Sequence, residues 1–167
     1  ELQRLLSDGD DPVLIDVSAP RAAYARALAG RKPAAIRLNA AEFAALAGEA
    51  GSAETIARFA SATASAIGLT GAADIVSDGR RNLQIANGHP LMHRVTAMGC
   101  AASALVAACL CVEKDAFAAT ACALLAFGVA REAAADISNG PGSFAVAFID
   151  ALHNLDSTTL HEKARVS

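Results

Sequence analysis

Three places in the sequence combine a chemically capable side chain with a local pattern that would aim it. The first is Cys100, in VTAMGCAASALVAAC (Val95 to Cys109). Gly99 permits a tight turn and helix formers follow it. The thiol therefore falls in a first helical turn, where several backbone N–H groups lack an intrahelical acceptor. Such an end is electropositive, so it favours a thiolate and can cradle a phosphate. The competing reading makes Cys100 a small buried hydrophobe, and the residues alone leave both open. The second place is RLNAAE (Arg37 to Glu42). Arg37 ends a predicted strand, Asn39 caps the next helix, and Glu42 lies in its first turn, where the dipole favours a carboxylate. Its plain alternative is a capping box with a satisfied glutamate. The third is a pair of strand ends, Asp16 and Thr70, on the side of an α/β sheet where ligands gather.

Other candidates are weaker. His89 and His93 are four apart, but Pro90 argues against the continuous helix that a metal-binding pair would need there. The four cysteines (100, 109, 111 and 122) include no CxxC pair and sit mostly in Ala/Leu/Val segments. That usage suits reduced thiols in a cytoplasm, with Cys109, Cys111 and Cys122 read as buried small residues.

The elements that must position these residues alternate. Glu1 to Leu6 reads as the end of a helix closed by the turn-forming SDGDD, and PVLID (12–16) as a strand. Pro20 to Ala29 is a predicted helix, AAIRL (34–38) a strand, and NAAEFAALAG a helix bounded by Asn39 and Gly48. Ser52 caps a helix reaching Ala64, AIGLT (66–70) is a strand, and DIVSDGRRNLQIA is a hairpin turning at Asp78-Gly79. Helical stretches follow near 99–112, 116–138 and 143–155, and the polar tail after Asp156 is expected to be loose. This order predicts an α/β layered fold with a mainly parallel sheet.

With 167 residues, 54% of them hydrophobic and 19% charged, the chain suffices for one domain with a sizeable core. A formal net charge of −3 and the lack of a dense Lys/Arg run argue against nucleic acid or an anionic membrane as partner. The longest apolar run, Ala97 to Val112, stops short of the roughly 20 residues needed to span a bilayer and reads as a buried helix. The chain opens on Glu1 without a leader pattern, so it is expected to begin inside a longer protein.

The blocks PVLID, KPAAIRLNAAEFAALAG, LTGAADIVSDG, NGHPLMHRVTAMGCAASALVAA and GPGSFAVAFIDALHNLD, in that order, closely resemble the hydroxyethylthiazole kinase family over nearly the whole chain. The resemblance implies a ribokinase-like fold, with residues 1–156 forming the C-terminal portion of a single kinase domain and 157–167 a polar tail. It implies ATP and Mg²⁺, phosphorylation of the hydroxyethyl group of 4-methyl-5-(2-hydroxyethyl)thiazole in thiamine salvage, and a cytoplasmic homotrimer with active sites between protomers. By motif, Arg37 and Thr70 would contact ATP with Asn39 and Gly99 beside them. Asp16 and Glu42 would serve the magnesium, Ala97 the thiazole, and Cys100 would be catalytic, as base or as positioning group. The sequence departs from the family at Ala97, where a glycine is usual and where alanine restricts φ, and at Met98, which replaces a threonine or similar residue. Two rivals are a kinase of the same fold acting on another heteroaromatic alcohol, and a catalytically weak scaffold protein.

Overall fold

A computed structural model describes Gly9–Asp10 and residues 18–167. The predicted helix 1–6, the predicted strand 12–16 and Asp16 lie outside the described residues. Gly9–Asp10, expected to be part of a turn, is instead a strand, β1, paired with Ala35 and Ile36.

β1, β2 (Ala35–Asn39), β3 (Ala66–Thr70), β4 (Asp74–Ser77) and β5 (Asn82–Ile85) form one sheet in chain order. β2 runs parallel to β1 and β3, while β4 is antiparallel to β3 and β5, so two of the four described pairings are parallel and two antiparallel, the predicted hairpin being β4–β5. The β2–β3 register sets Arg37 opposite Gly68 and Asn39 opposite Thr70. The ends of both strands therefore fall at one sheet edge.

Alternation along β2 and β3 divides the core. Ile36, Leu38, Ile67 and Leu69 face helices α1 (Ala19–Ala29), α2 (Ala40–Ala47) and α3 (Ala53–Thr63). Ala35 and Ala66 face α4 (Met98–Val112) and α5 (Ala116–Asp136). Burial on both faces explains why these strands read as near-continuous apolar runs. Gly68 lets α5 lie close: a Cβ there would stand 3.0 Å from Thr120 Cγ2 and 3.1 Å from Leu124 Cδ1. α5 buries Thr120, Ala123, Leu124, Phe127, Ala130, Arg131 and Ala134 at helical spacing. α6 (Pro141–His153) covers its outer side through Phe144 and Phe148, with Phe127 and Phe148 edge to face at 4.7 Å. By length and composition α5 could cross a bilayer, but it lies against the sheet between α4 and α6, where its apolar character supplies the core.

Local signals place the helix starts as expected. Asn39 Oδ1 accepts from the Glu42 N–H at 2.9 Å while the Asn39 N–H donates to Glu42 Oε2 at 2.8 Å. Ser52 and Thr55 make the same reciprocal pair at α3.

Two expectations need correction. The tail is ordered: Ser157–Lys163 form α7, and Gln84 and Ser167 exchange backbone hydrogen bonds of 2.8 and 3.0 Å. β5 is an edge strand, so its free N–H and C=O groups take up the chain end. α4 is also not enclosed; only Met98, Ala102 and Val106 are buried, one stripe four residues apart. Cys111 is accordingly exposed, and on α5 Cys122 is exposed as well, because each lies off the stripe that meets the core, while Cys109 is half-buried against the cluster around Val106 and Leu124.

Candidate active site

β2 and β3 end against the N-terminus of α4, and between them opens a cavity of about 240 Å³. Arg37, Asn39 and Thr70 line it from the strands, Ala97, Met98 and Gly99 from the helix. Strand alternation turns Arg37 toward α4 and buries it to 6% exposure. Its Nη2 donates to Thr70 Oγ1 at 3.4 Å, and Thr70 Oγ1 donates to the Leu38 carbonyl at 3.3 Å. The guanidinium lies over Gly99, where a Cβ would come within 2.8 Å of Nη1.

Ala97 precedes α4 with left-handed backbone angles, φ 67° and ψ 8°, and its methyl group offers the helix no cap. The first ladder bond runs from the Ala101 N–H to the Ala97 carbonyl at 3.0 Å. The N–H groups of Met98, Gly99 and Cys100 come before it and remain available to a ligand. A buried guanidinium facing an uncapped helix N-terminus is a setting for an anion.

Of the residues singled out from the sequence, Arg37, Asn39, Thr70, Ala97 and Gly99 meet at this cavity. Cys100 is the third residue of α4 and is exposed, which removes the reading of a buried hydrophobe, but its side chain is not part of the cavity wall. Glu42, 6% exposed, stands behind the wall in the capping box with Asn39. His89 serves the local backbone, since its Nδ1 accepts from the Leu91 N–H at 3.3 Å, at the head of a 3₁₀ turn (Pro90–Arg94).

Sequence reasoning passed over Asp74 and Arg131. They pair at 3.2 Å, with side chains 1% and 4% exposed. Burial pushes the Asp74 carboxyl above the ordinary range, and the charges of Arg131 and Arg37 together with the Gly71 N–H pull against that rise. Arg131 also lines a second cavity of about 170 Å³, which shares Gly71 and His93 with the first. A signal for it was present: Arg131 begins the only charged pair inside the apolar run from Ala116 to Ala135.

Comparisons with known proteins converge on one family. The model of the hydroxyethylthiazole kinase family matches residues 10–158. A hydroxyethylthiazole kinase of Cereibacter sphaeroides is 44% identical over 93% of this chain and 64% of its own length. One of Granulibacter bethesdensis is 43% identical over 93% of this chain and 61% of its own. A solved hydroxyethylthiazole kinase structure from Pyrococcus horikoshii superposes with a TM-score of 0.87 at 33% identity, covering 94% of this chain and 63% of that one. The chain thus spans a little under two thirds of the relatives it matches. A family match over most of the chain and a shared fold at this identity lead to one conclusion: the chain belongs to the hydroxyethylthiazole kinase family.

Proposed function

We propose that the protein containing this chain transfers the γ-phosphoryl group of ATP to the hydroxyethyl oxygen of 4-methyl-5-(2-hydroxyethyl)thiazole, in thiamine biosynthesis or salvage. The observation that carries this reading is the convergence of Arg37, Thr70 and the first N–H groups of α4 on one cavity at the strand ends. Phosphoryl transfer asks mainly for alignment and charge neutralisation, which this arrangement supplies. The α4 amides and Arg37 hold phosphate oxygens, and Thr70 orients the guanidinium. Asn39 keeps α2 and its Glu42 in place, and the Ala97 backbone meets the thiazole. Cys100, exposed in the first turn of α4 just outside the cavity wall, serves the alcohol either as base, taking its proton as a thiolate, or as positioning group, while the oxygen bonds to phosphorus and the bond from phosphorus to ADP breaks.

Among the described residues no three His, Cys, Asp or Glu side chains gather as a metal cage. Glu42 stands behind the cavity wall with Oε2 accepting from the Asn39 N–H, so Oε1 is the carboxylate oxygen it could offer a hard cation. Glu42, joined by Asp16 on the family motif, would hold Mg²⁺, which when bound neutralises phosphate charge.

We further propose a cytoplasmic homotrimer with sites completed between protomers, residues 1–156 belonging to the kinase domain and 157–167 to its tail. The exposed apolar face of α4, opposite its buried stripe, supports self-association, and the free cysteines suit a reducing compartment.

The test is turnover of the full-length protein with Mg·ATP, comparing the thiazole alcohol with a pyrimidine methanol. Preference for the thiazole is expected; no turnover of either rejects the kinase. Cys100→Ser is expected to lower kcat by about 10²-fold while the ATP KM stays near wild type. Wild-type turnover in that variant removes Cys100 from the mechanism.

A further inference from the structure

We infer that Asp74 and Arg131 are positioning residues that hold the two walls of the nucleotide cavity at a set separation, an inference that rests on the kinase reading above. One wall is Thr70–Gly71 at the end of β3; the other is the segment from Gly88 to Val95 that leads into α4, of which Met92, His93 and Val95 line this cavity and Gly88, His89 and Pro90 the smaller one beside it. The sheet ladder reaches Thr70 but not Gly71, and the second wall belongs to no strand.

The connection runs through the interior. Gly71 N–H donates to Asp74 Oδ1 at 2.9 Å, and Arg131 Nη2 donates to Asp74 Oδ2 at 3.2 Å. The same Nη2 donates to the Asn87 carbonyl at 3.2 Å, and Nη1 reaches Met92 Sδ at 2.8 Å. One guanidinium thus holds the first wall through Asp74 and the second through Asn87 and Met92. Met92 itself lines the cavity.

Stability is a poor reason for this pair. Both side chains are almost fully removed from water, and Arg131 Nε has no hydrogen-bond partner among the described residues. Buried ion pairs commonly do no better than apolar residues of the same volume. What this one supplies is geometry, because it sets Thr70, and Arg37 bonded to it, against the segment that aims the α4 amides. Asp74 also feels the charge of Arg37.

The test uses the full-length protein and the double variant Asp74→Asn/Arg131→Met, which removes both charges of the pair together and keeps the volume. Its melting temperature is expected to stay near wild type. Amide hydrogen exchange at Gly71 and from Gly88 to Val95 is expected to speed up about ten-fold, and the ATP KM to rise about ten-fold with the thiazole KM unchanged. Arg131→Lys keeps a charge for Asp74 but lacks the forked reach, and is expected to fall between the two. Wild-type exchange and KM in the double variant overturn the inference. So does a general loss of stability with unaltered KM, the signature of a merely structural pair. If wild-type protein turns over no alcohol, the kinase reading fails, whereas the exchange measurement still judges the tie.

Discussion

Gly99 lies directly under the Arg37 guanidinium, close enough that a Cβ would stand 2.8 Å from Nη1 and 3.2 Å from Nη2. The atoms it would meet are the tip of a side chain, so the fold can accommodate a methyl group, but Arg37 is buried and can yield only by leaving Thr70. Gly99→Ala is expected to change stability by less than about 1 kcal/mol, since alanine also favours the helix. Its ATP KM is expected to rise about ten-fold. Steady-state kinetics alongside urea denaturation check this; an unchanged KM would show that the guanidinium position does not matter.

Ala97 carries a left-handed backbone, φ 67°, at a place where a side chain strains it. Glycine adopts that conformation freely and is also accepted at a helix N-cap. Ala97→Gly is expected to stabilise the protein by about 1 kcal/mol, raising the melting temperature by about 2–4 °C. Calorimetry reads the shift, and a lower melting temperature would contradict the strain argument.

Arg81 clamps the hairpin to the start of α5. Its Nη1 and Nη2 donate to Asp115 at 2.6 and 2.8 Å, and its Nε donates to Asp78 at 2.7 Å. The hydrogen bonds from Arg81 hold the Asp115 carboxyl at about 2, below its usual 3.8. A carboxyl depressed in the folded state contributes its stabilisation above its ordinary pKa and loses it as pH falls toward the folded value. The melting temperature is therefore expected to fall from about pH 4 to about pH 2. Asp115→Asn keeps an N-cap for α5 but no charge, so its decline over the same window should be shallower. Parallel curves for variant and wild type would remove this pair from the acid response.

Asn87, 1% exposed, joins three segments. Its Nδ2 donates to Glu132 Oε2 at 3.1 Å and to the Lys163 carbonyl at 2.8 Å, while Oδ1 accepts the Arg165 N–H at 2.8 Å. Asn87→Ala leaves buried partners unsatisfied and is expected to cost about 3 kcal/mol by denaturant unfolding. Limited proteolysis should then cut the released tail after Lys163. A tail as resistant as in the wild type would locate its anchor elsewhere.

Much of the site was legible because its parts are announced locally. A capping residue with its partner three positions on marks a helix start, and a strand ending beside such a cap marks a ligand edge; these patterns single out Arg37, Asn39 and Thr70 on the cavity wall, with Glu42 behind it as the partner of the cap. Gly99 marked the turn before Cys100. Neighbouring residues settle such patterns, so they survive without knowledge of the rest of the chain.

Other features depended on partners far along the sequence. Asp74 and Arg131 are 57 residues apart, and neither has a local pattern that names the other. The tail looked loose because its polarity says nothing about an edge strand needing hydrogen bonds. α4 is apolar all round, so no periodicity could tell which stripe would be covered and which left bare beside Cys100. Side-chain types and short spacings are written along the chain; which of them meet is set by strand register and helix packing, and these arise only when distant segments bury each other's surface.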